Sequence, residues 1–305
     1  MPAKTDLTGL RWRDRLLLRL PASWIDRAGL LSWGLKSLFS ATTRWNGRLR
    51  YEWGSDSGSL DPGDAWRTMA SEEIEHLIDR RMHLGRLYGI GNHWPELEST
   101  AHELASVITR IHRDSPGRPV IVSPFHYVSE YANIYVVDTL RAALNLTELA
   151  VVSGSPREGY GHQEDILIPG LRILHTLDEN NRSALGLRLL RALKQAGAAV
   201  LFSDVPPHMM QRFPMETVEV SMLGRPARIH RGVFSIGGHV DAVLLCFHLT
   251  FKQGRFGHRS FAPIELRSHD APQQVANYIE QAYQTAYPNW ILADHPSRYG
   301  FAPVK

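Results

Sequence analysis

The run Ser123-Pro124-Phe125-His126-Tyr127-Val128-Ser129-Glu130 joins an apolar stretch, Val120–Pro124, to a helical pattern reaching about Leu144. A histidine just past a buried strand lies where α/β folds place active sites. A helix N-terminus disfavours imidazolium, so the ring there stays neutral and can accept a proton. If the helix begins at Tyr127, His126 and Glu130 are four apart and share a face. Glu130 would then fix the ring's tautomer and stabilise its charged form. The alternative is a helix-capping histidine beside an unrelated surface acid.

A second acid, Asp204, follows the apolar run Ala198–Ser203 and precedes Pro206-Pro207, which forbid a following helical turn. It faces the same sheet edge as His126, unless it only shapes a turn. A third cluster is Gly224–Gly232, with Arg225, Arg228 and Arg231 beside a hairpin signal. Guanidinium groups pair bidentately with phosphate or carboxylate. The competing reading is solvated hairpin charge.

Other chemistries lack their residues. The chain has no G-x-S-x-G elbow, P-loop or G-x-G-x-x-G, and no H-E-x-x-H or H-x-H pair, so neither a serine nucleophile nor a metal is expected. The one cysteine, Cys246, excludes an intrachain disulfide and reads as a buried small hydrophobe.

The elements positioning these groups alternate. Helical patterns cover Leu10–Leu20, Ser23 to about Ser40, Ser71–Leu87 and Glu96–His112, with a Gly/Ser/Asp loop at Gly54–Gly63. Strand-type runs follow at Val120–Pro124, Glu148–Ser153, Arg172–Thr176, Ala198–Ser203, Ala242–Thr250 and Ser260–Leu266. Helices are expected at Asn181–Ala196, Arg231–His239 and Ala271–Tyr287, and a hairpin at Thr217–Ile229. The expected fold is α/β, a mixed sheet flanked by helices, preceded by an N-terminal amphipathic helical segment. Residues 1–53 form that segment and 64–305 the α/β domain, with its core at about 115–300.

At 305 residues, 43% hydrophobic and 21% charged, the chain can bury a sizeable core. The net charge of +3 is unevenly spread. Residues 1–50 hold ten Lys/Arg against three acids and four of the eight tryptophans, Trp12, Trp24, Trp33 and Trp45. Trp24, Ala28, Leu31, Leu35 and Leu38 recur at helical spacing. Basic residues beside Trp and Leu suit an anionic membrane surface. The alternative is a helical cap on the domain. No apolar stretch reaches the roughly 18–20 residues that span a bilayer. With no signal peptide either, a cytoplasmic protein bound peripherally to the inner membrane is expected. A nucleic-acid partner is not expected.

Over roughly residues 115–300 the chain resembles the lysophospholipid acyltransferase superfamily, nearest to the bacterial branch containing the lauroyl acyltransferases of lipid A biosynthesis. The likeness rests on the strand, His126, acid and helix. It continues in Leu193-Lys194-Gln195-Ala196-Gly197 running into Ala199–Asp204, in Gly224, Pro226 and Arg231-Gly232 before the strand Ala242–Phe247, and in the ending Tyr287-Pro288-Asn289-Trp290. The family spacing places four residues between the His and the acid, whereas Glu130 stands one place earlier. The ending Ala293-Asp294-His295-Pro296 lacks the branch's basic cluster. The resemblance implies a glycerolipid acyltransferase-like fold. It implies transfer of a fatty acyl group from an acyl carrier protein or coenzyme A thioester to a hydroxyl or amine of a lipid, glycolipid or other acceptor. His126 would be the general base and Glu130 its partner, with Asp204 as further support. Arg225, Arg228 and Arg231 would bind phosphopantetheine or a substrate phosphate. The thioester is a co-substrate, and no other cofactor or metal is implied. The competing functions are a non-catalytic lipid-binding protein on the same scaffold and a lipid ester hydrolase.

Overall fold

The computed structural model describes residues 9–56, 60, 62–153, 168–176, 182–210, 215–294 and 301. It is an α/β fold whose mixed sheet is flanked by helices.

Three N-terminal helices come first: α1 (Trp12–Arg19), α2 (Ile25–Phe39) and α3 (Ala41–Asp56). Helix α3 runs through the first residues of the expected Gly54–Gly63 loop, and residues 57–59 and 61 lie outside the described residues. Short α4 (Ala65–Met69), then α5 (Ser71–Tyr88) and α6 (Pro95–Asp114), complete the helical half. Proline at the first position of α6 costs no hydrogen bond. Leu97, Ala101, Leu104, Ala105 and Ile108 form its buried stripe.

Five parallel strands build the sheet's centre, in the order β3 (Leu171–His175), β2 (Leu149–Ser153), β4 (Ala198–Leu201), β1 (Val120–Pro124), β7 (Val243–Lys252). Strands β8 (Arg255–Ser260) and β9 (Ile264–Glu265) pair antiparallel with β7. Of the strand expected at Ser260–Leu266 only Ser260, the last residue of β8, and the two residues of β9 are in the ladder, with Pro263, whose missing N–H cannot join one, between them; the rest of β8 was not expected. Strands β1, β2 and β4 are largely buried, which explains their near-continuous apolar sequences. Helix α7 (Glu130–Ala143) connects β1 to β2, and α8 (Arg182–Ala196) precedes β4. Gly197, at φ +70°, ends α8 in the left-handed conformation, as its sequence position implies. Asn181, the expected start of that helix, lies outside the described residues.

Strands β5 (Thr217–Met222) and β6 (Arg225–His230) form the separate hairpin. Its two turn residues, Leu223 and Gly224, both have positive φ, as a tight two-residue turn between twisted strands requires. Helices α9 (Gly232–His239) and α10 (Ala271–Ala286) follow.

The N-terminal helices lie against the α/β domain. The Gly29 backbone of α2 comes so close to Ile74 of α5 that a Cβ there would stand 2.4 Å from the isoleucine side chain. Trp33 is buried and meets Trp66 edge to face. From buried Arg50 in α3, Nη2 donates to the Trp290 carbonyl at 2.7 Å, and the Tyr287 hydroxyl donates to the Arg50 carbonyl at 2.8 Å.

Helix α2 carries a row of exposed apolar side chains. Leu31, Leu35, Leu38 and Phe39 of α2 are 67%, 61%, 70% and 90% exposed. Trp12, Leu16, Trp24 and Trp45 are exposed as well, and the Arg13 and Arg27 guanidinium groups lie over the Trp12 and Trp24 rings. Among the described residues no helix is long and apolar enough to cross a membrane.

Candidate active site

The ladder between neighbouring strands β1 and β4 stops at Val122–Val200. Beyond it a hydroxyl replaces the backbone partner. Ser123 Oγ accepts from the Ser203 amide at 3.0 Å and lies 2.7 Å from Ser203 Oγ. Strand β4 is shorter than the expected Ala198–Ser203, and its last residues leave the ladder. Asp204, completely buried, thereby reaches His126 at the end of β1. Asp204 Oδ1 lies 2.7 Å from His126 Nδ1, and Oδ2 accepts from the His126 amide at 2.7 Å. One carboxylate thus holds both the ring and the backbone of the same histidine, and Phe202 packs against the ring at 4.5 Å between centroids.

Glu130 does not fill this role. Helix α7 begins at Glu130 rather than Tyr127, so the four-residue spacing to His126 is not helical. The cause lies in Val128 and Ser129. Val128 has φ 70°, strained for a β-branched residue, and the Ser129 amide donates to the Tyr127 carbonyl across it. Ser129 caps the helix by accepting from the Ala132 amide at 3.0 Å. Its hydroxyl donates in turn to Asp79 of α5. Glu130 remains exposed at the rim of the site.

The His126 loop is also held from the C-terminal side. The Val128 amide donates to the Asn289 carbonyl at 2.6 Å, and the Ile291 amide donates to the His126 carbonyl at 2.9 Å. Tyr127 and Trp290 bridge as antiparallel partners with stacked rings. The Tyr127 amide donates to the Phe125 carbonyl. All four amides from His126 to Ser129 are therefore committed within the protein.

Three titratable groups carry informative shifts. Burial pulls the His126 pKa down, but the Asp204 carboxylate outweighs it, and the net position lies above the ordinary histidine value. Burial raises Asp79 to about 6, against the hydrogen bonds from Ser129 and Tyr131. Cys246 is buried and burial drives its thiol far up, which makes it inert as a nucleophile.

His126 and Glu130 open onto a cavity of about 380 Å³. Its walls are mostly aliphatic, with Val152 from β2, Ile173 from β3, Leu189 from α8 and Ile236 from α9. His230, at the end of β6, lines it as well, and sequence reasoning did not single it out.

The hairpin arginines lie outside the cavity wall. Arg228 is tied to its own hairpin, with Nη1 2.7 Å from Glu219 and Nε donating to Thr217 Oγ1 at 2.7 Å. Arg225 is exposed. Arg231 is exposed, 3.5 Å from Glu216, and stands between His230 and Gly232, which both line the cavity. Among the described residues no group of three or more His, Cys, Asp or Glu side chains is placed to hold a metal ion. His295 and Pro296 lie outside the described residues.

A scan of protein-family models returned no match, and no curated protein sequence matched the chain significantly.

Proposed function

We propose that this chain is an acyltransferase. It moves a fatty acyl group from an acyl carrier protein or coenzyme A thioester to a hydroxyl or amine acceptor. The observation that carries the proposal is the His126–Asp204 pair at an apolar cavity of about 380 Å³, within the usual size range of small-molecule sites.

The chemistry follows from the pair. Asp204 accepts from Nδ1–H of His126, leaving the lone pair on Nε2. Nε2 takes the proton of the acceptor's O–H or N–H as that atom bonds to the thioester carbonyl carbon. The resulting imidazolium is stabilised by buried Asp204. When the tetrahedral intermediate collapses, the C–S bond breaks and the leaving thiolate takes the proton back. The enzyme ends as it began, with one ester or amide formed and one thiol released. No covalent acyl-enzyme is required, in keeping with the inert Cys246.

The aliphatic cavity is suited to the acyl chain, and Arg231 at its edge to a phosphate of the donor. Arg225 and Arg228 lie farther along the hairpin and would add long-range attraction. The exposed Leu31–Phe39 face, with its tryptophans and arginines, supports work on an anionic membrane surface at the cytoplasmic side, where a lipid acceptor is presented.

The test supplies purified protein with acyl-coenzyme A and acyl carrier protein thioesters, with lysophospholipid and primary-amine acceptors in vesicles. Products are followed by mass spectrometry. Acceptor-dependent acylated product, lost in His126→Ala and Asp204→Ala, is the expected result. Thioester hydrolysis without acylated product, or unchanged turnover in folded His126→Ala, would overturn the proposal.

A further inference from the structure

His230 is a polar residue in a mostly aliphatic wall. It lines the same cavity as His126, and both its ring nitrogens are shielded from water. Neither nitrogen has a hydrogen-bond partner among the described residues. Two hydroxyls of the cavity wall are occupied, since Thr176 donates to the Ser153 carbonyl and Ser203 bonds Ser123. Shielding a polar group without a partner costs about 1–3 kcal/mol, so such a group in a cavity wall is usually completed by a ligand, an ion or an ordered water.

The chemistry of the missing partner is constrained. Desolvation lowers the His230 pKa to about 4, so the ring is neutral at physiological pH and carries one N–H donor and one acceptor nitrogen. A neutral ring brings no charge to offset the desolvation of an anion, which favours an uncharged oxygen as the partner. The loop amides beside His126, the nearest backbone donors to the proposed base, are already committed.

We infer that His230 is a substrate-binding residue whose neutral imidazole hydrogen-bonds an uncharged oxygen of the acyl donor held in the cavity. This rests on the cavity being the acyl site. The oxygen has two sources, the thioester carbonyl or a hydroxyl carried on the chain. The subsite gives a role to a histidine in a mostly aliphatic wall, where an apolar side chain would leave no polar atom unpartnered.

The test measures binding rather than turnover, so it does not depend on catalysis. Calorimetry compares three ligands of equal chain length: dodecanoyl-coenzyme A, its non-hydrolysable dodecyl thioether, which lacks the carbonyl, and 3-hydroxydodecanoyl-coenzyme A. If the carbonyl is the partner, wild type binds the thioester about tenfold tighter than the thioether. If the hydroxyl is the partner, the hydroxyacyl ligand gains about that factor over dodecanoyl-coenzyme A. His230→Phe erases the preference, and His230→Gln, which keeps an N–H donor, retains part of it. Wild type binding all three equally, or a preference that persists in a folded His230→Phe protein, overturns the inference. Binding of none of the three would instead overturn the acyl site itself.

Discussion

The carboxylate of Asp204 grips His126 twice, at the ring and at the backbone amide, across the 78 residues between the ends of two neighbouring parallel strands. Under the proposed mechanism this relationship sets an order among substitutions. His126→Ala should lower acyl transfer by roughly 10²–10⁴-fold, the usual contribution of a general base. Asp204→Asn should cost nearly as much, and the double variant little more, because the two act as a unit. Glu130→Gln should change the rate by no more than a few-fold. Steady-state rates of the four proteins, with circular dichroism to check folding, decide it. A Glu130→Gln loss as deep as that of Asp204→Asn would return the partner role to Glu130.

The pH profile should follow the raised His126 pKa. The base works only when neutral, so kcat/KM should rise with pH through a value above the ordinary histidine pKa of about 6.5. Asp204→Asn removes the opposite charge and should move the acid limb to lower pH while lowering the plateau. In stability the sign is reversed. The His126–Asp204 attraction is fully present below about pH 6.5 and is lost as pH rises through the folded-state pKa. An acid limb that stays in place in Asp204→Asn would separate the two residues electrostatically.

Asp79 makes a prediction about folding alone. Its folded-state pKa of about 6 lies above the ordinary carboxylate value, so holding it ionised in the fold costs about 3 kcal/mol. Its favourable contribution is complete below about pH 4 and disappears as pH rises through 6. Asp79→Asn keeps an oxygen for Ser129 and removes the charge. The Tm difference, variant minus wild type, should therefore grow between pH 4.5 and pH 7.5. Thermal melts at the two values test it, and an equal difference at both would show that Asp79 is not burdened by its charge.

Membrane docking should depend on the outward face of α2. Leu31→Ser, Leu35→Ser and Leu38→Ser together remove three exposed apolar side chains and should leave the melting temperature within a few degrees of wild type. Co-sedimentation with phosphatidylglycerol vesicles should fall at least tenfold, and wild-type binding should weaken in high salt. Light scattering separates this from self-association. A dimer that dissociates in the triple variant, with vesicle binding unchanged, would assign the face to a second copy of the chain.

Much of the sheet was legible because buried parallel strands read as continuous apolar runs, as in Val120–Val122 and Ala198–Leu201. The outward row Leu31, Leu35, Leu38 was legible from helical spacing, but Trp33 turned out to share the buried side with Ile25 and Gly29. The candidate site was only half legible. His126 and Asp204 each stood out at a strand end, yet local spacing favoured Glu130. What decided against Glu130 was the start of α7, and that depends on the strained Val128 and on Asp79 holding Ser129, neither of which leaves a periodic trace. The cavity was not legible at all. Its wall is gathered from β2, β3, α8 and α9, and no single segment announces a concave surface.

The bonds from Asn289 and Ile291 to the His126 loop carry a consequence for how the protein comes into being. The loop leaves strand β1, but it is fastened by Asn289 and Ile291, which are made long after it, and Trp290 between them is braced by Arg50. On the ribosome the strand can be complete while its histidine still lacks its clamp. Closing contacts between such distant positions is entropically costly and slow. The His126 loop thus gains these bonds only after residues 289–291 are made. Until residues 289–291 have emerged, the nascent chain holds His126 without this clamp, and a product terminated before them never gains it.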